Sequence, residues 1–163
     1  NGGYVMPAWY DILGTDLAKR EDAAGIQHSA RAIEALIAHE VERGIAPGAI
    51  VLAGFSQGCA MALQVGLRHG ARLAGLMALS GYLPLAGTLA AERSAANADT
   101  PIFMAHGLAD PVVPIARAQA SRQALLDLGY AVQWHSYPMP HSVHPQEIAD
   151  ISQFLRSVLG AAA

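Results

Sequence analysis

The sequence predicts an α/β fold, a parallel sheet with flanking helices. Short apolar runs of strand length alternate along the chain with longer segments of helical period. Strictly alternating strands and helices call for parallel pairing with right-handed crossovers. No internal repeat and no long linker interrupts the pattern, so residues 1–163 read as one domain.

Residues 1–20 carry Gly2, Gly3, Pro7 and Gly14 and read as a loop holding Trp9 and Tyr10. From Asp22 to about Arg43, Ile26, Ala30, Ile33, Ile37 and Val41 recur at helical spacing, and Gly44 ends the helix. A strand is expected at 49–53. A helix follows from Cys59 to His69, stopped by Gly70, and a second strand covers 73–79. The alanine-rich stretch 86–99 reads as a loop or short helix. Strand 101–105, a helix over about 115–128 closed by Gly129, strand 131–137 and a helix near 145–159 complete the pattern.

Composition narrows the class. With 53% hydrophobic and 14% charged residues, the chain can bury a substantial core. A net charge of −3 offers no basic footprint for nucleic acid and no polybasic membrane patch. No apolar run is long enough for a transmembrane segment. Cys59 is the only cysteine, so the chain has no internal disulfide framework, and a cytoplasmic location is expected. Cys59 falls on the first turn of a helix and reads as a small core residue, with a reactive thiol as the alternative.

Gly54-Phe55-Ser56-Gln57-Gly58 stands between an apolar run and a helical segment. G-x-S-x-G in strand–turn–helix context is the form of a nucleophile elbow, with the serine exposed on a sharp turn. The two glycines are expected to relieve crowding and positive φ. The alternative is an ordinary strand-to-helix serine. A serine nucleophile needs a base, and the base needs an orienting acid. Asp110 follows the strand ending near His106-Gly107, and His141 lies in the loop after the strand ending at Tyr137. All three candidates therefore fall past the C-terminal ends of strands, the edge at which open parallel sheets bind ligands. For Asp110 an Asp-Pro turn is the competing reading. His144 rivals His141 but directly precedes Pro145 and is expected at the entry of the last helix. His106 is expected to be a structural hydrogen-bonding residue on the Asp110 loop. His28, His39, His69 and His135 fall within helices or strands and read as solvated or packed. No pair of histidines has metal-ligand spacing, and no metal or cofactor is expected.

Four motifs together resemble one family: Gly54-Phe55-Ser56-Gln57-Gly58; Leu79-Ser80-Gly81-Tyr82-Leu83-Pro84; His106-Gly107 with Asp110 and Val113-Pro114; and Tyr137-Pro138-Met139-Pro140-His141 with Pro145-Gln146-Glu147-Ile148. They look like the phospholipase/carboxylesterase family, the acyl-protein thioesterase-like branch of the α/β-hydrolases. Asn1-Gly2-Gly3-Tyr4 through Ile12 resembles a segment from well inside that family's usual length. The resemblance implies an α/β-hydrolase-type parallel sheet, N-terminally incomplete, whose one domain corresponds to the C-terminal part of the usual length. It implies a serine hydrolase cleaving short to medium acyl esters or thioesters, with Ser56 as nucleophile, His141 as base and Asp110 as its orienting acid. The Gln57 backbone N–H would be one oxyanion donor. Met6, Trp9 and Val112 resemble positions near the acyl pocket, and core packing is the alternative for each.

Two departures matter. The His-Gly-Leu-Gly-type loop that supplies the second oxyanion amide in the family has no match here. Pro140 stands where glycine is usual and is expected to displace the histidine loop slightly, since proline fixes φ and removes an N–H. The first departure motivates a second reading, a remnant that self-associates or binds acyl ligands without turnover. An acyltransferase using the same residues is a third. Without neighbouring strands, residues 49–53 become an apolar sheet edge. The expected partners are thus a small-molecule ester or thioester, and either a second copy of the chain or a complementing N-terminal fragment.

Overall fold

The computed structural model describes residues 6–13 and 21–160. Expectations for Asn1-Gly2-Gly3-Tyr4-Val5, for the loop at 14–20 and for 161–163 lie outside the described residues. Among the described residues, four strands form one parallel sheet in sequence order: β1 (Val51–Phe55), β2 (Gly75–Leu79), β3 (Ile102–Gly107) and β4 (Val132–Tyr137). Five α-helices, again among the described residues, flank it: α1 (Ala23–Glu42), α2 (Gln57–Gly66), α3 (Ala86–Glu92), α4 (Ile115–Asp127) and α5 (Pro145–Leu159).

Strand periodicity divides the core between two faces. Leu76, Ala78, Ile102 and Met104 pack with Cys59, Leu63 and Leu67 of and just beyond α2, Leu89 of α3 and Leu125 of α4. Met77, Phe103 and Ala105 point the other way, onto Phe154 of α5. Each fully buried large aliphatic or aromatic side chain contributes roughly 1.5–3 kcal/mol. A third cluster joins Tyr10, Ile26, Met61, Tyr82 and Val113, so α1 packs on α2 rather than on the sheet. Of the apolar positions expected to line α1, Ile26 and Ile37 are buried, whereas Val41 is exposed in the last turn. The Asp22 carboxylate caps α1 by accepting from Gly25 N, and Gly44 at φ 95° ends it.

Several boundaries shift for identifiable reasons. A 3₁₀ turn at Pro47–Ala49 delays β1, which then stays paired to Phe55 opposite Leu79. Leu73 donates its N–H to Asn97 Oδ1 at 2.9 Å, so β2 begins at Gly75 instead of 73. The buried Asn97 side chain also donates to the carbonyls of His69 and Ala71. This anchor lies in the stretch that reads from sequence as a loop or short helix. Helix α2 starts directly after Ser56 and ends at Gly66, so His69 stands beyond it, 2.7 Å from Glu34. Strand β3 runs to Gly107, which places His106 on the strand, not on the loop where it is expected. Cys59 is fully buried, and burial pushes its thiol up to about 12.

Among the described residues β1 pairs only with β2. Beside its free edge lies an apolar groove of about 370 Å³, lined by Ile33, Leu36 and Ile37 of α1 together with Ile50, Leu52 and Met61.

Candidate active site

Ser56 occupies the turn between β1 and α2 at φ 56°, ψ −117°, a conformation that side chains other than glycine rarely adopt. Its N–H still belongs to the sheet and donates to Leu79 O at 2.9 Å. The positive φ expected of the flanking glycines falls on the serine itself. The glycines differ in their reasons. A Cβ on Gly54 would stand 1.9 Å from Gly58 O, so the chain closes on itself there. A Cβ on Gly58 would meet nothing within 4 Å, so crowding does not require glycine at that position. The loop after β2 presses from below. A Cβ on Gly81 would lie 2.5 Å from the Cys59 side chain and 2.6 Å from Ser56 O.

Gln57 opens α2, where first-turn N–H groups lack intrahelical acceptors and the helix end carries partial positive charge. Its side chain has a task that sequence reasoning missed. It donates to Tyr10 O at 3.0 Å and accepts from Trp9 N at 3.2 Å, tying segment 9–10 to the elbow. Tyr10 is buried beneath, with its hydroxyl 2.9 Å from that of Tyr82. Burial and the Tyr82 contact push the Tyr10 phenol up. Pro7, Ala8, Trp9 and Gln57 line a cleft of about 340 Å³. Trp9 therefore sits beside the elbow. Met6 and Val112 are exposed and do not line this cleft.

Asp110 and His141 meet across two loops. The His141 Nδ1–H points to Asp110 Oδ2 at 2.7 Å, while Oδ1 accepts from the N–H groups of Val112 and Val113. Burial works to raise the Asp110 carboxyl, but the hydrogen bonds from His141, Val113 and Val112 outweigh it and hold the group below its ordinary value. Pro140 does not break this contact. Gly107 permits it: a Cβ there would stand 2.4 Å from Pro140 O and 2.5 Å from Met139 O. The two loops are also bonded to each other, Leu108 N to Tyr137 O and Ala109 N to Met139 O.

Phe55 links this couple to the elbow. Its ring lies 4.7 Å from that of His141, tilted by 49°, one residue before Ser56. Sequence reasoning passes over it, because its partner lies far along the chain. His144 caps α5, accepting from Gln146 N while Glu147 bonds back to His144 N. It thus takes the helix-entry place expected of it. His106 is buried and donates from Nε2 to Val113 O at 2.8 Å. No group of three or more His, Cys, Asp or Glu with metal-binding potential occurs among the described residues.

The geometry fits known proteins over nearly the whole chain. A family model described as phospholipase/carboxylesterase matches residues 1–159. An acyl-protein thioesterase 1 of Gibberella zeae is 44% identical, covering 98% of this chain and 71% of its own length. That of Saccharomyces cerevisiae is 36% identical, covering 99% and 73%. Among solved structures, Arabidopsis thaliana SOBER1 superposes with a TM-score of 0.90 at 25% identity over 97% of this chain and 77% of its own. Zea mays acyl-protein thioesterase 2 gives 0.82 at 30% identity over 98% and 75%. With a parallel sheet, a serine elbow and esterase relatives in agreement, the chain belongs to the phospholipase/carboxylesterase family of α/β-hydrolases, as a serine hydrolase of carboxylic esters or thioesters.

Proposed function

We propose that this hydrolase works through an acyl-enzyme on Ser56, with His141 as general base and acid and Asp110 as its orienting partner. The observation that carries the reading is the 2.7 Å Asp110–His141 contact, with the His141 ring against Phe55 beside the elbow. Because Nδ1 is engaged by Asp110, Nε2 is the nitrogen available to take the Ser56 proton. Ser56 Oγ then bonds to the acyl carbon, and the negative charge on the carbonyl oxygen is received by the Gln57 N–H at the N-terminus of α2. His141 returns the proton to the departing alkoxide or thiolate. Water, deprotonated by the same imidazole, releases the acid and restores Ser56. One oxyanion donor is worth roughly 3–4 kcal/mol, so a second donor matters for rate.

Thioesters of acylated proteins are the proposed natural substrates, by likeness to the acyl-protein thioesterase relatives. The cleft lined by Trp9 and Gln57 is the proposed acyl site. Met6 and Val112, which do not line this cleft, remain proposed acyl contacts by the family resemblance alone. A cytoplasmic location is part of the reading, supported by the single, buried cysteine.

The free β1 edge and its apolar groove support one further element of the reading. That edge takes a strand from a second copy of the chain or from a complementing N-terminal segment, which also brings the second oxyanion donor.

Incubation with p-nitrophenyl butyrate and a serine-directed phosphonate tests the nucleophile. Hydrolysis and single-site labelling at Ser56 are expected, both lost in Ser56→Ala. Full labelling of that variant would sink the assignment. His141→Ala should lose on the order of a thousandfold in kcat, and His144→Ala far less, mostly in thermal stability. The reverse ranking would move the base to His144.

Asp110 also links stability to acid. Its folded-state carboxyl lies below the value of about 3.9 found in an unfolded chain. Its contribution is therefore fully present above that value and fades as pH falls through the lower folded one. Asp110→Asn should melt below wild type at pH 7, with the gap closing below about pH 4. A gap that widens in acid would contradict this.

Sedimentation of the intact 163-residue chain tests the edge. Dimers or larger species are expected, and a monomer at full activity would show that β1 needs no partner.

A further inference from the structure

Strand β3 is buried at every position, and His106 is its one polar side chain. A buried imidazole in an apolar strand is costly unless its polar atoms are used. Here Nδ1 is buried without a hydrogen-bond partner, and the use falls on Nε2 alone. Nε2 donates to Val113 O at 2.8 Å and stands 3.4 Å from Asp110 Oδ2, the oxygen that receives His141. A carbonyl can only accept, so Nε2 carries the proton.

Residue Val113 is thereby gripped at both ends. Its N–H is held by Asp110 Oδ1 at 2.9 Å, and its carbonyl by His106. Asp110 and His106 close the same turn, 110–113, from opposite sides. Because one Asp110 oxygen is committed to that turn, the turn sets the direction of the other. The charged and titratable groups facing His106 are Asp110 on the loop after β3, His141 beyond it through Asp110, and the buried Glu147 of α5.

We propose that His106 is a positioning residue for the reaction: by holding the Val113 carbonyl, and with it the turn whose N–H groups fix Asp110 Oδ1, it aims the Asp110 carboxylate at His141. This rests on the triad reading above. His106 touches neither the substrate nor the reacting serine in this role. It acts through Asp110, so its loss should lower kcat and leave KM nearly unchanged.

Two isosteres separate positioning from packing. Glutamine reaches about as far as Nε2, whereas asparagine reaches only about as far as Nδ1. Turnover of p-nitrophenyl butyrate is measured per active site, with sites counted by phosphonate titration. His106→Gln should stay within about threefold of wild-type kcat. His106→Asn should fall about 10- to 100-fold, with KM within about twofold in both. Equal kcat for the two variants, or a change confined to KM, would overturn the proposal.

If neither variant folds, wild-type protein with ¹⁵N-labelled histidine decides the matter. Phosphonylation of Ser56 sets a tetrahedral phosphonyl group beside His141 and perturbs its hydrogen bond to Asp110, and the His106 Nε2–H resonance, 3.4 Å from Asp110 Oδ2, should shift in response. An unmoved resonance would also overturn the proposal. Failure of the triad reading would be seen separately, as wild-type protein that neither labels nor turns over, and it would sink both.

Discussion

The hydrogen-bonded seam between β3 and β4 does not stop where the strands end. It pairs His106 with Ser136 and Gly107 with Tyr137 in register, then continues through Leu108 N to Tyr137 O and Ala109 N to Met139 O. Two loops that would otherwise be independent are thereby fixed against each other. Their side chains inherit that precision: Asp110 and His141 come within 2.7 Å although 31 positions separate them. The seam tolerates no side chain at position 107, because the carbonyls of Met139 and Pro140 occupy the space a Cβ would need. One missing methyl group thus determines whether the acid and the imidazole can meet.

The elbow is fixed in a different way. A serine at positive φ costs on the order of 1–3 kcal/mol and persists only where its surroundings leave no alternative. Here β1 keeps the Ser56 N–H in the ladder, Gly54 lets the chain close against Gly58, and the Gly81 loop packs beneath. Cys59 belongs to that support. Its burial and its contact with Gly81 account for its place in the first turn, and burial leaves the thiol protonated at neutral pH. Gln57 then ties the segment containing Trp9 and Tyr10 to the same turn from the other side.

The two halves of the site depend on the sheet in unequal ways. Strands β2 and β3 are covered on both faces and paired on both sides, so the Asp110 loop rises from the most buried part of the molecule. Strand β1 carries the serine but, among the described residues, lies at the edge, with Ala53 and Phe55 exposed and an apolar groove alongside. The tilted ring contact of Phe55 with His141 is the lateral tie between these regions. A partner on the β1 edge would steady the serine strand without touching the Asp110–His141 couple.

The sequence by itself determined the alternation of strands and helices, the four-strand parallel sheet and the placing of Ser56, Asp110 and His141 past strand ends. These are local matters: periodicity, glycine stops and a pentapeptide between an apolar run and a helix. The place of His144 at the entry of α5 was equally legible, because the residue preceding a helix-opening proline has few other places to be, whereas its capping bonds came with the structure. What depended on contacts between distant segments was decided by the tertiary structure alone. Leu73 leaves the ladder because Asn97 captures its N–H, and β1 reaches Phe55 because Leu79 is there to receive the N–H of Ser56. The tasks of Gln57, Phe55 and Gly107 each involve a partner at least 30 positions away, and no spacing rule along the chain reports them. Positive φ settled on the serine rather than on its glycines because the turn is set by what packs around it, not by which residue adopts it most cheaply.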